Sequence, residues 1–333
     1  MTSTSFKATI LFPGQGQQFV GMGADFPDDL LRYFQIADKV LQYPLSEIAF
    51  KGPASTLRLT ENAQPAIVAY EMALFSKVKT ILESEGVSIE RVLGHSVGEY
   101  SALVAASTLS FHDAIKLVHL RGKYMQTAVP VGVGGMMAIL KAPVSEIERA
   151  CHECSDQSIT VVPANYNCPD QVVISGHLEG CNRVVSWLEQ NLPSDLRWKA
   201  IPLEVSAPFH SPLMAPASKQ LLPHLSDTEF RPNQIPYIAN IDATEYATST
   251  SPDTIRHNLL KQVAGSVFWT QSIQKIDSVG TQRTLFIEVG PGKVLKGMVK
   301  KILPQADIIS VCSANDLNEL VKELVNVNSY YRI

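Results

Sequence analysis

The stretch Gly94-His95-Ser96-Val97-Gly98 stands between a short apolar run, Arg91-Val92-Leu93, and a segment of small and apolar residues, Tyr100-Ser101-Ala102-Leu103-Val104-Ala105-Ala106. A G-x-S-x-G pattern in that setting predicts a sharp strand-to-helix turn. Glycines stand where a Cβ has no room, and the serine hydroxyl is lifted clear of the sheet. The turn also sets the serine at a helix N-terminus, where amide hydrogens can hold a developing oxyanion.

The rest of the chain repeats this alternation. Apolar runs too short for helices recur at Ala8 to Phe12, Ile235 to Ile241, Thr284 to Val289 and Ile308 to Val311, with longer segments of helical period between them. That is the pattern of an α/β protein with a buried parallel sheet. The middle differs. Strand Met136–Leu140, helix Val144–Cys154, strands Ile159–Ala164 and Gln171–Ser175, helix Leu178–Gln190 and strand Arg197–Leu203 spell a βαββαβ order, which is ferredoxin-like. With 333 residues, more than one core usually organises, the expected layout is a large α/β-hydrolase-like unit over 1–130 and 202–333 carrying an inserted ferredoxin-like unit over 131–201. The last residues, Asn326 to Ile333, carry no periodic pattern.

Composition excludes several classes. Hydrophobic residues make up 45% and charged residues 18%, which rules out a disordered or collagen-like chain. The net charge of −4 gives no global field for nucleic acid or an anionic membrane. No signal-peptide layout opens the chain and no apolar run reaches a membrane span, so a cytoplasmic protein is expected. Five cysteines, odd in number and sparse, argue against a disulfide framework. Cys151-His152-Glu153-Cys154 has no second pair at zinc-ribbon spacing, so no metal site is expected.

A nucleophilic serine needs a base. His95 is the sequence neighbour of Ser96, but it ends a strand and is expected to point away from an exposed hydroxyl. His112, His119, His152 and His257 fall in helical stretches, and His177 and His224 are weak candidates. His210 stands apart, in the Pro-bracketed loop Val205-Ser206-Ala207-Pro208-Phe209-His210-Ser211-Pro212 just after a strand, where functional groups of α/β sheets gather.

Two further features concern the site. Pro13-Gly14-Gln15-Gly16-Gln17-Gln18 follows the first strand, but the third glycine of a dinucleotide loop falls at Phe19. The loop instead suits an oxyanion hole built from the main-chain amides of Gln15 and Val97. Arg121 shares a helical stripe with Ala114, Leu117, Val118 and Met125, so it lies on the buried face, beside Gly122. A buried guanidinium needs a partner, and its planar fork matches a carboxylate of protein or substrate.

Together, Phe12 to Gly16, Gly94 to Glu99, Leu120 to Gln126, Asn165 to Pro169, Gln171 to His177, Pro208 to Ser211 and Glu288 to Leu295 resemble, in this order, the malonyl-CoA:acyl-carrier-protein transacylases. The likeness implies a ping-pong acyl transfer through a malonyl ester of Ser96. His210 would be base and then acid, Arg121 would hold the malonyl carboxylate, and Gln15 and Val97 would form the oxyanion hole. It implies no permanently bound cofactor and a histidine oriented by a main-chain carbonyl. The matching stretch for that carbonyl is Ser266-Val267-Phe268-Trp269, with Phe268 where many bacterial members have Gln. Phe209 resembles the wall of malonyl-selective members, and Met125 and Asn167 are expected to line the pocket.

The implied partners are a coenzyme A thioester, malonyl-CoA, and an acyl carrier protein, met by a monomer. Lys293, Lys296, Lys300 and Lys301 fall at helical steps after Gly290-Pro291-Gly292 and make a basic face suited to an acidic carrier. Fatty-acid synthesis is the leading setting. A trans-acting acyltransferase loading polyketide synthase carrier domains, and a serine acyl hydrolase, are the alternatives.

Overall fold

Two sheets organise the computed structural model, which describes residues 7–205, 207–279 and 284–331. The larger contains β1 (Lys7–Phe12), β2 (Ser88–Gly94), β7 (Tyr237–Ile238), β8 (Glu245–Tyr246), β9 (Thr284–Val289) and β10 (Asp307–Val311), in the spatial order β10-β9-β1-β2-β7-β8. All neighbours run parallel except the edge pair β7 and β8. The smaller contains β3 (Gly134–Leu140), β4 (Val161–Cys168), β5 (Gln171–His177) and β6 (Lys199–Pro202), antiparallel in the order β4-β5-β3-β6. That order is the ferredoxin-like one expected from the sequence.

In β1, Ala8 to Phe12 are all buried, as a central parallel strand covered on both faces requires. One face of the large sheet packs on the helices α1 (Asp28–Leu41), α2 (Leu45–Lys51), α3 (Ala54–Arg58), α4 (Thr60–Ser84), α5 (Gly98–Ala105) and α6 (Phe111–Thr127). In the small sheet, Met137, Ile139, Val172 and Ile174 pack on α7 (Val144–Glu153) and α8 (Leu178–Asn191). Past the small sheet, α9 (Ala215–Asp227) and α10 (Pro252–Ala264) join the large core. Leu11, Leu93, Ile238 and Phe286 look to the opposite face, against α11 (Trp269–Val279) and α12 (Val294–Ile302). The chain ends in α13 (Asp316–Tyr331), whose backbone continues through most of the stretch where the sequence shows no period. No helix among the described residues is long and apolar enough to cross a membrane.

The apolar run Ile235 to Ile241 yields only a two-residue strand. Pro236 lacks an amide hydrogen, and the Asn240 side chain spends itself on the β2 turn instead, accepting from Ser96 N (2.7 Å) and donating to Gly94 O (2.7 Å). A second local feature ties α4 to α6. Pro65 inside α4 offers no amide to the carbonyl of Glu61, four residues back, and His119 Nδ1 of α6 takes that carbonyl at 3.0 Å. The C-terminal ends of β1 and β2 stand level, with Phe12 opposite Gly94, so the loops that leave them share one edge of the sheet. Ligand sites of α/β sheets lie at that edge.

Candidate active site

Ser96 follows β2 with a φ of 53°, a left-handed conformation for a residue with a side chain. Both flanking glycines are required by space. A Cβ on Gly94 would overlap the Gly98 carbonyl, and one on Gly98 would overlap the carbonyls of Phe12 and Pro13. The turn is fastened by His95 N donating to Phe12 O (2.9 Å) and Gly98 N to His95 O (2.9 Å). Val97 is the N-cap of α5, where N–H groups have no intrahelical acceptor.

The hydroxyl of Ser96 lies 2.7 Å from His210 Nε2, across 114 residues of sequence. His210 itself has a φ of 58° and is 3% exposed. Its Nδ1 donates to the carbonyls of Gln262 (2.9 Å) and Gly265 (3.2 Å). With the proton on Nδ1, Nε2 is the acceptor for the serine hydroxyl. Burial first, then the positive charge of Arg121, pushes the His210 pKa down to about 3. The imidazole is therefore neutral at pH 7 and able to take a proton.

The carbonyls that orient His210 correct the sequence expectation. They belong to the C-terminal end of α10, not to Ser266-Val267-Phe268-Trp269. The last carbonyls of a helix lack intrahelical donors, so the end of α10 offers Gln262 O, and Gly265 O lies just beyond it. The expected stretch pairs elsewhere: Phe268 N with Asn240 O (2.8 Å), Val267 N with Ala164 O (2.8 Å), and Tyr166 N with Val267 O (2.9 Å). Ser206, in the loop that carries His210, lies outside the described residues.

Arg121 of α6 is 1% exposed, as its stripe predicts. The bare Cα of Gly122 lets α6 approach closely, since a Cβ there would overlap the Thr60 backbone at the start of α4. Within that contact Arg121 Nη1 donates to Gln64 Oε1 (2.8 Å), while Nη2 donates to Gln262 Oε1 (2.8 Å) and Ser96 Oγ (3.2 Å). Its Nε has no protein partner among the described residues. Every acceptor of this cation is neutral, and one of them is the serine oxygen. Burial lowers the guanidinium pKa.

A cavity of about 540 Å³ opens over Ser96 and His210, between the edge of the large sheet and the uncovered face of the small one. Gln15 and its neighbours form one side, and Met136, Ala138 and Val173 of the small sheet form the facing wall. Phe209 and Asn167 line it, as expected. Asn167 Oδ1 lies 2.8 Å from His95 Nε2, which accounts for His95 without a bond to the serine hydroxyl. Met125 does not line the cavity. It is 1% exposed and packed in the main core, and Arg121, equally buried, reaches Ser96 Oγ without lining the cavity either. The weak histidine candidates are engaged elsewhere, His177 Nδ1 accepting from Thr160 N (2.9 Å) and His224 with Tyr124 Oη (2.8 Å).

Among the four lysines, all on or next to α12, Lys293, Lys300 and Lys301 are exposed and Lys296 is half-buried, and Lys301 is bound to Asp170 at 3.0 Å. The same helix gives Val294, Leu295 and Met298 to the cavity wall, while none of the four lysines lines the cavity. Sequence reasoning missed Gln64, Asn240 and Gln262, and gave Glu99 no role. Gln64, Asn240 and Gln262 carry no motif of their own, and Glu99 only closes the motif around Ser96. Glu99 is 1% exposed, and burial pushes its pKa up to about 7 against the bonds from Gln262 and Asn240.

A serine at a strand-to-helix turn, a neutral imidazole bonded to its hydroxyl and a buried guanidinium at the same oxygen define a serine-dependent acyl-transferring protein. The comparisons with known proteins make this specific. The chain belongs to the acyl transferase domain family, whose model matches residues 9–323. It is 38% identical over 325 residues to the malonyl CoA-acyl carrier protein transacylase of Bacillus subtilis (strain 168), covering 97% of this chain and 98% of that one. Its fold matches the acyl carrier protein S-malonyltransferase of Vibrio cholerae with a TM-score of 0.85 and 37% identity, over 94% of this chain and 99% of that one. It also matches a malonyl-transacylase solved in complex with its type II polyketide synthase acyl carrier protein, with a TM-score of 0.87 and 36% identity, over 95% and 99% of the two chains.

Proposed function

We propose that this acyltransferase moves a malonyl group from malonyl-CoA to the phosphopantetheine thiol of an acyl carrier protein, for fatty-acid synthesis, by a ping-pong route. Ser96 Oγ attacks the thioester carbonyl carbon as His210 Nε2 takes the hydroxyl proton. The tetrahedral oxyanion is held by the amides of Gln15 and Val97. Its collapse breaks the carbon–sulfur bond, and the departing coenzyme A thiolate takes the proton from His210. The malonyl ester of Ser96 remains. In the second half the carrier thiol gives its proton to His210 and attacks the ester carbonyl, and the serine oxygen leaves with that proton. Gln262 O and Gly265 O stabilise the imidazolium formed in each half, as the negative end of a helix dipole does.

Arg121 binds the malonyl carboxylate, Asn167 lines the site, and Phe209 narrows it against an α-branched acyl group, a discrimination of about 1–3 kcal/mol per methyl. The exposed lysines Lys293 and Lys300, with Lys296, steer the acidic carrier. We further assign the ferredoxin-like insert to 131–201, the setting to the cytoplasm and the working form to a monomer without a permanent cofactor.

The observation that carries this reading is that Ser96 Oγ is bonded both to His210 Nε2 and to Arg121 Nη2. An acid-bearing acyl group esterified there has its carboxylate beside a buried cation. A hydrolase reading is less well supported, because His210 Nδ1 faces carbonyls and not the carboxylate of a Ser–His–Asp triad. Intact-mass analysis after mixing with malonyl-CoA tests the proposal. A malonyl adduct on Ser96 that persists in water and is discharged by carrier protein is expected; an adduct lost to water before acceptor is added would mark a hydrolase. The complex of a relative with a polyketide carrier supports a second setting for the same chemistry, and comparing discharge by fatty-acid and polyketide carriers separates the two.

A further inference from the structure

Glu99 has no part in the steps above, yet it sits one residue into α5 with its carboxyl buried beneath the nucleophile turn. Its Oε2 accepts from Gln262 Nε2 (2.7 Å) and from Asn240 N (3.2 Å). Its Oε1 has no protein partner among the described residues, so a proton on the carboxyl would reside there and leave Oε2 an acceptor.

This oxygen sets the direction of the Gln262 carboxamide. Gln262 Nε2 faces two acceptors, Glu99 Oε2 and Ser96 O (2.8 Å), which leaves Gln262 Oε1 for Arg121 Nη2 (2.8 Å). A guanidinium only donates, so the reversed amide would set donor against donor at Arg121 and acceptor against acceptor at Glu99. Asn240, held through its own amide by the same Glu99 oxygen, fixes Ser96 N and Gly94 O. One carboxyl oxygen thus anchors both residues that hold the serine turn, and one of them holds the guanidinium.

The arrangement also addresses the charge. The acceptors of Arg121 are all neutral, and Glu99 is an acidic group whose charge it feels, one amide away. A carboxylate bonded directly to Arg121 would take the donors an incoming carboxylate needs. Held behind Gln262, the acidic group orients the amide that receives Arg121 Nη2 without competing for the remaining donors.

We propose that Glu99 is a positioning residue that acts through Gln262 to present Arg121 to the carboxylate of the acyl donor. The proposal rests on the reading of Arg121 given above. It is tested by loading the full-length parent, Glu99→Leu, Glu99→Gln and Arg121→Ala with malonyl-CoA and with acetyl-CoA, and measuring kcat and KM for each. Glu99→Leu is expected to lower the malonyl-to-acetyl ratio of kcat/KM about tenfold or more, mostly through the malonyl-CoA KM. Glu99→Gln retains an acceptor oxygen and is expected to restore the ratio to within about threefold of the parent.

A Glu99→Leu protein with the parental melting temperature and ratio overturns the proposal, and so does an equal loss for both donors. Should Glu99→Leu not fold, Gln262→Leu cuts the same line while keeping the main-chain carbonyl for His210, and an unchanged ratio there overturns it equally. A parental ratio in Arg121→Ala instead brings down the reading of the site itself.

Discussion

Replacing Arg121 with alanine separates the two donors that the site should distinguish. The guanidinium is 1% exposed, so bulk salt does not screen it. A carboxylate bound by a guanidinium fork gains two charge-assisted hydrogen bonds of about 1.5–3 kcal/mol each. Loss of both predicts about 3–6 kcal/mol less transition-state stabilisation for malonyl loading, a fall of roughly 10²- to 10⁴-fold in kcat/KM. Acetyl-CoA carries no carboxylate and escapes this loss. The substitution has a structural cost too, since Gln64 Oε1 and Gln262 Oε1 both lose a donor in a buried place. The assay must therefore count folded protein: quenched-flow loading from each thioester, scored by intact mass and normalised to the fraction that melts cooperatively. Equal losses for malonyl and acetyl loading would refute the reasoning, because they would show that Arg121 serves the serine and not the carboxylate.

Acetyl loading is expected to be flat between pH 5 and pH 7. The His210 pKa is lowered to about 3, so its neutral form persists well below the usual histidine range, and an acidic limb centred near 6.5 in single-turnover rates would contradict the assignment. Glu71→Gln is expected to raise the melting temperature by a few degrees at pH 8 and by less at pH 5. Glu71 is fully buried, its Oε2 accepts from Ser101 Oγ at 2.5 Å and its Oε1 has no partner among the described residues. Burial raises its pKa well above 4.5, so the folded state binds more protons than the unfolded one above that pH and loses stability as pH rises. Thermal melts from pH 5 to 9 check this, and parallel curves for the two proteins would exclude it. For the carrier surface, Lys293→Glu with Lys300→Glu is expected to slow discharge to carrier protein several-fold at low salt and less at high salt. Unchanged discharge at low salt would remove these lysines from the interface.

Much of this was legible in the chain itself. The turn at Ser96, the stripe that buries Arg121 and the βαββαβ order are local patterns, set by steric room for a Cβ and by the periods of helix and strand. His210 was found from its loop, although its distance to Ser96 was not. The errors have physical reasons as well. The family resemblance put Met125 at the pocket, whereas its helical stripe marks only a buried face, and it lies in the core. The run Ile235 to Ile241 looked like a full strand because nothing local announces that Asn240 will bond to the turn of another strand.

What the sequence determined by itself is chemistry carried by neighbours: which serine is strained out of the sheet, which arginine goes inside, and which family the ordered motifs resemble. What only the tertiary structure decided is how distant groups satisfy one another. The end of α10 supplies the carbonyls for His210, and the Gln262 side chain joins Arg121, Ser96 and Glu99. Buried polar atoms must find partners wherever the packed fold brings them. Those partners come from segments 52 to 166 residues apart, and no periodicity along the chain records them.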